Sequence, residues 1–166
     1  MITDELKKAS SIPQEISEIL KESVINTFGS ICGDAPVFVE GEANQNEPLN
    51  GIIGNIAIFN PELTFSLLIA IPKETAAKIS EAFIGVELAF DSEDMGDLVG
   101  ELANILAGDV AANIEKVGFR GQSSLPTATR GSDLTLFMPN KPPTIKLNFN
   151  SSCGHFMLNM AMSESR

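Results

Sequence analysis

The sequence predicts an α+β protein with a mostly antiparallel sheet and about three helices. Three observations lead there. Apolar residues recur at helical spacing in two long segments, near residues 11–28 and 93–117. Runs rich in β-branched and aromatic residues collect in groups on either side of the central helices. Strands grouped in this way favour antiparallel pairing over βαβ units. The halves also share an outline, a helix followed by a set of strands, so pseudo-repeated halves are inferred from the order of elements.

Taken in order, residues 1–10 are expected to be a flexible N-terminal segment of one domain spanning 1–166. Residues 11–28 form a predicted helix. Ser11 and Gln14 have capping-box spacing, Pro13 suits the first turn, and Ile12, Ile16, Ile19, Leu20, Val24 and Phe28 recur on one face. Gly29 is its expected stop. A short strand is predicted at 35–40, followed by a hairpin loop in the polar stretch GEANQNEPLN. Runs 51–59 and 64–71, parted by Asn60-Pro61-Glu62, read as a meander, with Gly51 and Gly54 marking a bulge or a close backbone approach. Pro72 opens a helix over 73–84 that Gly85 ends. Asp91 and Ser92 offer caps for a longer helix reaching about Val117, which Gly118 ends. Strand character then returns at 119–125, 134–138, 144–149 and 156–162, with a turn at 140–143.

Composition narrows the function classes. Hydrophobic residues make up 43% of 166, enough to bury a core. Trp and Tyr are absent, so Phe, Ile, Leu and Met fill that core, and stacking platforms for nucleic acid are missing. Twenty-two acidic residues against 11 basic ones give a net charge of -11, which repels nucleic-acid phosphates and anionic lipid. No secretory signal stands in MITDELKKASSIP, and the longest apolar run, 65–71, is too short to span a bilayer. A cytoplasmic protein with two reduced thiols, Cys32 and Cys153, is expected.

The segment SEDMGDLVGELANILAGDVAANIEKVG carries the most information. On a helical wheel Val99, Leu102, Ala103, Leu106, Val110 and Ile114 form a core-facing stripe. Glu101 and Asn104, three apart and therefore neighbours, fall on the other side with Asp97, Gly100, Gly108 and Ala111. A glycine inside a helix costs about 1 kcal/mol relative to alanine. A solvated face is normally lined with Lys, Glu and Gln. Here two short polar groups stand on a nearly bare strip, which admits a macromolecule at close range. Spacing alone leaves the alternatives open: ordinary solvated residues, Gly108 making room for another helix of the same protein, or a functional face with no reaction named.

At these residues the chain resembles the CheC/CheX family of chemotaxis phosphatases, and the CheX branch more closely. The resemblance lies in Gly100-Glu101-Leu102-Ala103-Asn104-Ile105-Leu106-Ala107-Gly108, with Asp94 and Gly96-Asp97-Leu98 before it and Ser124-Leu125-Pro126-Thr127 after it. It implies a CheC/CheX-like fold and hydrolysis of the aspartyl phosphate of a CheY-like response regulator. Asn104 would orient the attacking water, and Glu101 would pair with a Lys of the regulator. Asp97, Gly100 and Gly108 would border the partner. The chain itself would bind no metal or cofactor, and Mg²⁺ would reside in the phosphorylated partner. The first helix offers Glu15, Glu18, Glu22 and Asn26 with no Glu three before an Asn, so one active site per chain is expected. As in the CheX branch, a homodimer is also expected, with no nucleic-acid or membrane partner.

Two alternative functions share this fold: a non-catalytic adaptor for response regulators, and a structural module like the flagellar switch proteins. Other sites read as structural. Cys153-Gly154-His155 is at most half a metal site, with Cys32 distant in sequence. Thr127, Thr129, Arg130 and Gly131 read as a polar connecting loop.

Overall fold

A computed structural model describes residues 2–41 and 48–166. Along these residues run α1 (Ile2–Lys8), α2 (Gln14–Cys32), β1 (Val37–Val39), β2 (Leu49–Phe59), β3 (Leu63–Pro72), α3 (Lys73–Ile84), α4 (Glu93–Glu115), β4 (Gln122–Ser123), β5 (Thr127–Leu134), β6 (Thr144–Ser151) and β7 (Gly154–Glu164). The α+β class and the antiparallel sheet match the sequence reading, with a fourth helix added.

Strand alternation explains the two layers. On β3, β6 and β7 alternate side chains, such as Phe65, Leu67 and Ile69 or Phe156, Leu158 and Met160, enter one core with residues of α2, α3 and α4. Phenylalanine fills much of it, as the absence of Trp and Tyr requires. Phe28 stacks on Phe156 at 4.2 Å between centroids, and Phe65 meets Phe119 edge-on at 4.9 Å.

The sheet runs β1-β6-β7-β3-β2-β4, with β5 also on β2. Its centre is the antiparallel pair β3/β7, in register from Leu63↔Glu164 to Ala70↔Met157. Around it the halves α2-β1-β2-β3 and α4-β4/β5-β6-β7 exchange their outer strands. β1 pairs with β6, and β4 and β5 pair with β2. The repeat inferred from element order is therefore a two-fold-like swap between hairpins.

Several local expectations are corrected. Residues 2–8, expected to be flexible, form α1 because Leu6 has an apolar place to go and is 1% exposed. An ion pair from Lys7 to Glu62 adds a second tether. The first long helix begins after Pro13 with no side-chain cap, so Ser11 and Gln14 make no capping box. It also passes Gly29, because Ile31 still packs on the core. Gly33, at φ 85°, is the true stop, and its N–H bonds to Gly29 O. The hairpin expected between β1 and β2 does not form, since those strands lie far apart in the sheet; residues 42–47 of that stretch lie outside the described residues. The predicted strand at 119–125 shrinks to Gln122–Ser123, and that at 134–138 is replaced by β5. Thr127, Thr129, Arg130 and Gly131 thus belong to a strand. Most of its side chains are exposed and polar, so no alternation betrays it.

Candidate active site

Three local devices set the position of α4. Ser92 caps it, its Oγ accepting from the Met95 amide at 3.2 Å. Arg130 on β5 donates to the carbonyls of Phe90 (3.0 Å) and Ser92 (2.8 Å), which ties the helix start to the sheet edge. Gly54 on β2 lets the helix lie close: a Cβ there would stand 3.0 Å from Val99 Cγ1 and 3.5 Å from Ala103 Cβ. Of the two readings of the Gly51/Gly54 pair, both are realised. The β2/β5 register shifts between Leu49 and Gly51, and a Cβ on Gly51 would strike Ile71 O at 2.1 Å.

The stripe Val99, Leu102, Ala103, Leu106, Val110 and Ile114 is wholly buried, which fixes the rotation of the helix. Glu101 and Asn104 consequently face solvent, and among the described residues neither side chain has a hydrogen-bond or ion-pair partner within the chain. They open on a shallow hollow of about 400 Å³ with Gly96, Asp97, Gly100, Pro126 and Ala128. Its charged lining groups are the carboxylates of Asp97 and Glu101, with no Lys, Arg or His. A hollow of that sign attracts a cationic side chain from a partner.

The glycines remove one of the readings left open by spacing. A Cβ built on Gly96 or Gly108 meets nothing within 4 Å, and one on Gly100 meets only Pro126, 3.7 Å from Cγ and 4.0 Å from Cβ. No internal helix uses the room at Gly108. The bare strip faces outward.

The family model of chemotaxis phosphatase CheX matches residues 52–150, well over half of the 166-residue chain and including all of α4. The chain belongs to the CheX family. No curated protein matches its sequence. Among solved structures it is similar to a CheC-like superfamily protein from Shewanella sp. PV-4, with TM-score 0.82, 18% identity, and 92% of this chain and 99% of that one covered. It is similar to CheX of Vibrio vulnificus at TM-score 0.80 and 17% identity, over 90% of this chain and 99% of that one. CheX of Borrelia burgdorferi, solved as a complex with CheY, BeF3 and Mg²⁺, gives TM-score 0.70 and 17% identity, covering 90% of this chain and 98% of that one. At such identities these likenesses establish the fold alone.

In this CheX-family chain Asp97, Gly100, Glu101 and Asn104 share the hollow. Gly108 does not line it. It lies one turn along, in a neighbouring groove between α4, α2 and α3 that Asn104 also borders. Gly96, Pro126 and Ala128 are lining residues not singled out as site residues from sequence, although Gly96 and Pro126 stand within the quoted family pattern. Ile105, 38% exposed beside Asn104, lines the neighbouring groove instead and was also not singled out; its apolar character on an outward position was the available signal. His155 and Cys153 separate. Cys153 enters the core, while His155 lines a hollow on the opposite sheet face with Lys146 and Asn148. Among the described residues no three His, Cys, Asp or Glu side chains converge on one point. No described helix is long and apolar enough to cross a membrane.

Proposed function

We propose that this CheX-family chain hydrolyses the aspartyl phosphate of a CheY-like response regulator, with Asn104 orienting the attacking water and Glu101 pairing with a Lys of the regulator. The observation that carries this is the exposed, unpartnered Glu101–Asn104 pair on a helical ridge kept open by Gly96, Gly100 and Gly108. A partner can press its phosphorylated site against such a ridge.

The chemistry asks little of the chain. Phosphoryl transfer through a loose transition state depends on positioning and charge neutralisation. An amide both donates and accepts, so Asn104 can hold a water in line with phosphorus without a strong base. The Mg²⁺ and the Lys that neutralise the phosphoryl oxygens are assigned to the regulator. Glu101 then sets register: a desolvated interfacial ion pair costs about 2–5 kcal/mol when one partner is removed. Asp97, Gly100 and Gly108 border the docked regulator. Support for the partner comes from the Borrelia burgdorferi relative, whose structure contains CheY. The same reading puts the chain in the cytoplasm as a homodimer, which sedimentation of the purified protein tests.

The deciding assay mixes the chain with a phosphorylated CheY-like regulator and follows phosphate release. Acceleration that Asn104→Ala abolishes supports the phosphatase. Binding without acceleration points to an adaptor, and no binding to regulators removes both.

A further inference from the structure

Cys32 is the last residue of α2, and Cys153 lies in the turn joining β6 to β7. Though 121 positions apart, their Sγ atoms are 3.1 Å from each other, and both thiols are free. A disulfide bond is about 2.05 Å long, so closure needs roughly 1 Å of sulfur movement. The backbones are already held without it. The Ser152 hydroxyl donates to the Asp34 carboxylate and lies 3.2 Å from Cys32 O, and Ser151 Oγ accepts from the Cys153 amide at 3.2 Å. The helix end and the turn therefore meet through groups that sulfur chemistry would leave in place.

We propose that Cys32 and Cys153 form a modification site, a dithiol that peroxide-class oxidants close into an intramolecular disulfide. Exposure assigns the order of events. Cys32 is partly exposed, whereas Cys153 is 5% exposed and part of the apolar core. The Cys32 thiolate attacks the peroxide O–O bond, becomes a sulfenic acid, and one oxygen leaves as water after protonation. Cys153 sulfur then attacks Cys32 sulfur, the S–O bond breaks, and a second water departs. In sum, two thiols and one hydrogen peroxide give one disulfide and two waters. A metal role is not favoured, because no third His, Cys, Asp or Glu among the described residues joins the pair.

Two properties of the surroundings shape the reaction. Burial, then the Cys153 thiol beside it, pushes the Cys32 thiol up, with Asp34 adding to the rise and the nearby Ser151 hydroxyl opposing it. The thiolate is scarce at neutral pH, so oxidation is slow and quickens about tenfold per pH unit on the alkaline side. The cross-link closes a long loop and leaves Glu101 and Asn104 on α4 uncovered. A disulfide of that span raises the melting temperature by roughly 5–15 °C in a chain of this size.

The test uses the native chain and hydrogen peroxide, with thiol titration, peptide mass mapping and a melting curve. Both thiols should disappear together and reappear with dithiothreitol. A Cys32–Cys153 peptide lighter by two hydrogens should be recovered, and the melting temperature should rise. In Cys153→Ser, Cys32 should stop at a sulfenic acid that dimedone traps; should that variant fail to fold, the native chain decides alone. The proposal is overturned by sulfinic acid on Cys32 with Cys153 untouched, or by disulfides between chains. It is equally overturned if both thiols survive peroxide that oxidises them in the urea-unfolded chain.

Discussion

Replacing Gly108 with leucine separates the needs of the fold from those of docking. A Cβ at Gly108 meets nothing within 4 Å, and its helical neighbours carry the core stripe without its help. Leucine there removes the helix penalty of glycine, a gain of about 0.8 kcal/mol. For a chain of this size that raises the melting temperature by roughly 2–3 °C. On the proposed docking face the leucine stands in the groove beside Asn104 and narrows the space left for the regulator. Overpacking a close interface costs about 1–3 kcal/mol, or roughly 5- to 150-fold in affinity. Melting curves read the first effect, and phosphate release against regulator concentration reads the second. A variant more stable than the native chain yet poor at engaging the regulator is the expected result. Loss of stability would mean that the fold needs the glycine. Unchanged regulator dependence would mean that the ridge is not the docking face.

Glu101→Ala should raise the half-saturating regulator concentration, while Asn104→Ala should lower the rate at saturation; equal losses in both parameters would contradict the division of roles. Ser92→Ala removes the α4 cap and should destabilise the chain by about 1 kcal/mol, read as a drop of roughly 2–4 °C in melting temperature. The Cys32 thiol, pushed up to about 12 from an ordinary 9.0, makes folding take up a proton in alkaline solution, because the unfolded thiol ionises first. Its contribution to stability is complete below 9.0 and is lost as pH rises towards about 12. Urea midpoints in reductant should therefore converge between the native chain and Cys32→Ala as pH rises through this window. Parallel curves would show that the thiol is not shifted.

Features set by neighbours in sequence were legible in it. Helical spacing identified the interiors of α2 and α4, Pro72 and Gly85 bracketed α3, and Ser92 marked the real start of α4. The β2/β3 meander followed from two β-rich runs parted at Asn60, whose side chain accepts from the amides of Glu62 and Leu63 at 2.8 Å each. The Glu101–Asn104 pair was legible for the same reason, since three residues along one helix guarantee adjacency. Strand β5 was missed because an exposed edge strand is held by backbone bonds to β2 and has no need of apolar side chains. Nor could residues 119–125 announce that Pro126 ends regular pairing, while Ser124 continues the contact by accepting from Ala57 N at 2.9 Å and donating its own amide to Ala57 O at 2.8 Å.

Which residues form the ridge, and which of its faces is buried, follows from residue order alone, because a helix repeats every 3.6 residues whatever surrounds it. The open strip beside Gly108 and the far wall that Pro126 gives the hollow come from the three-dimensional fold. The fold alone also brought Cys32 to Cys153. Each of these depends on segments distant in the chain meeting through sheet register and core packing, and no local periodicity encodes such a meeting.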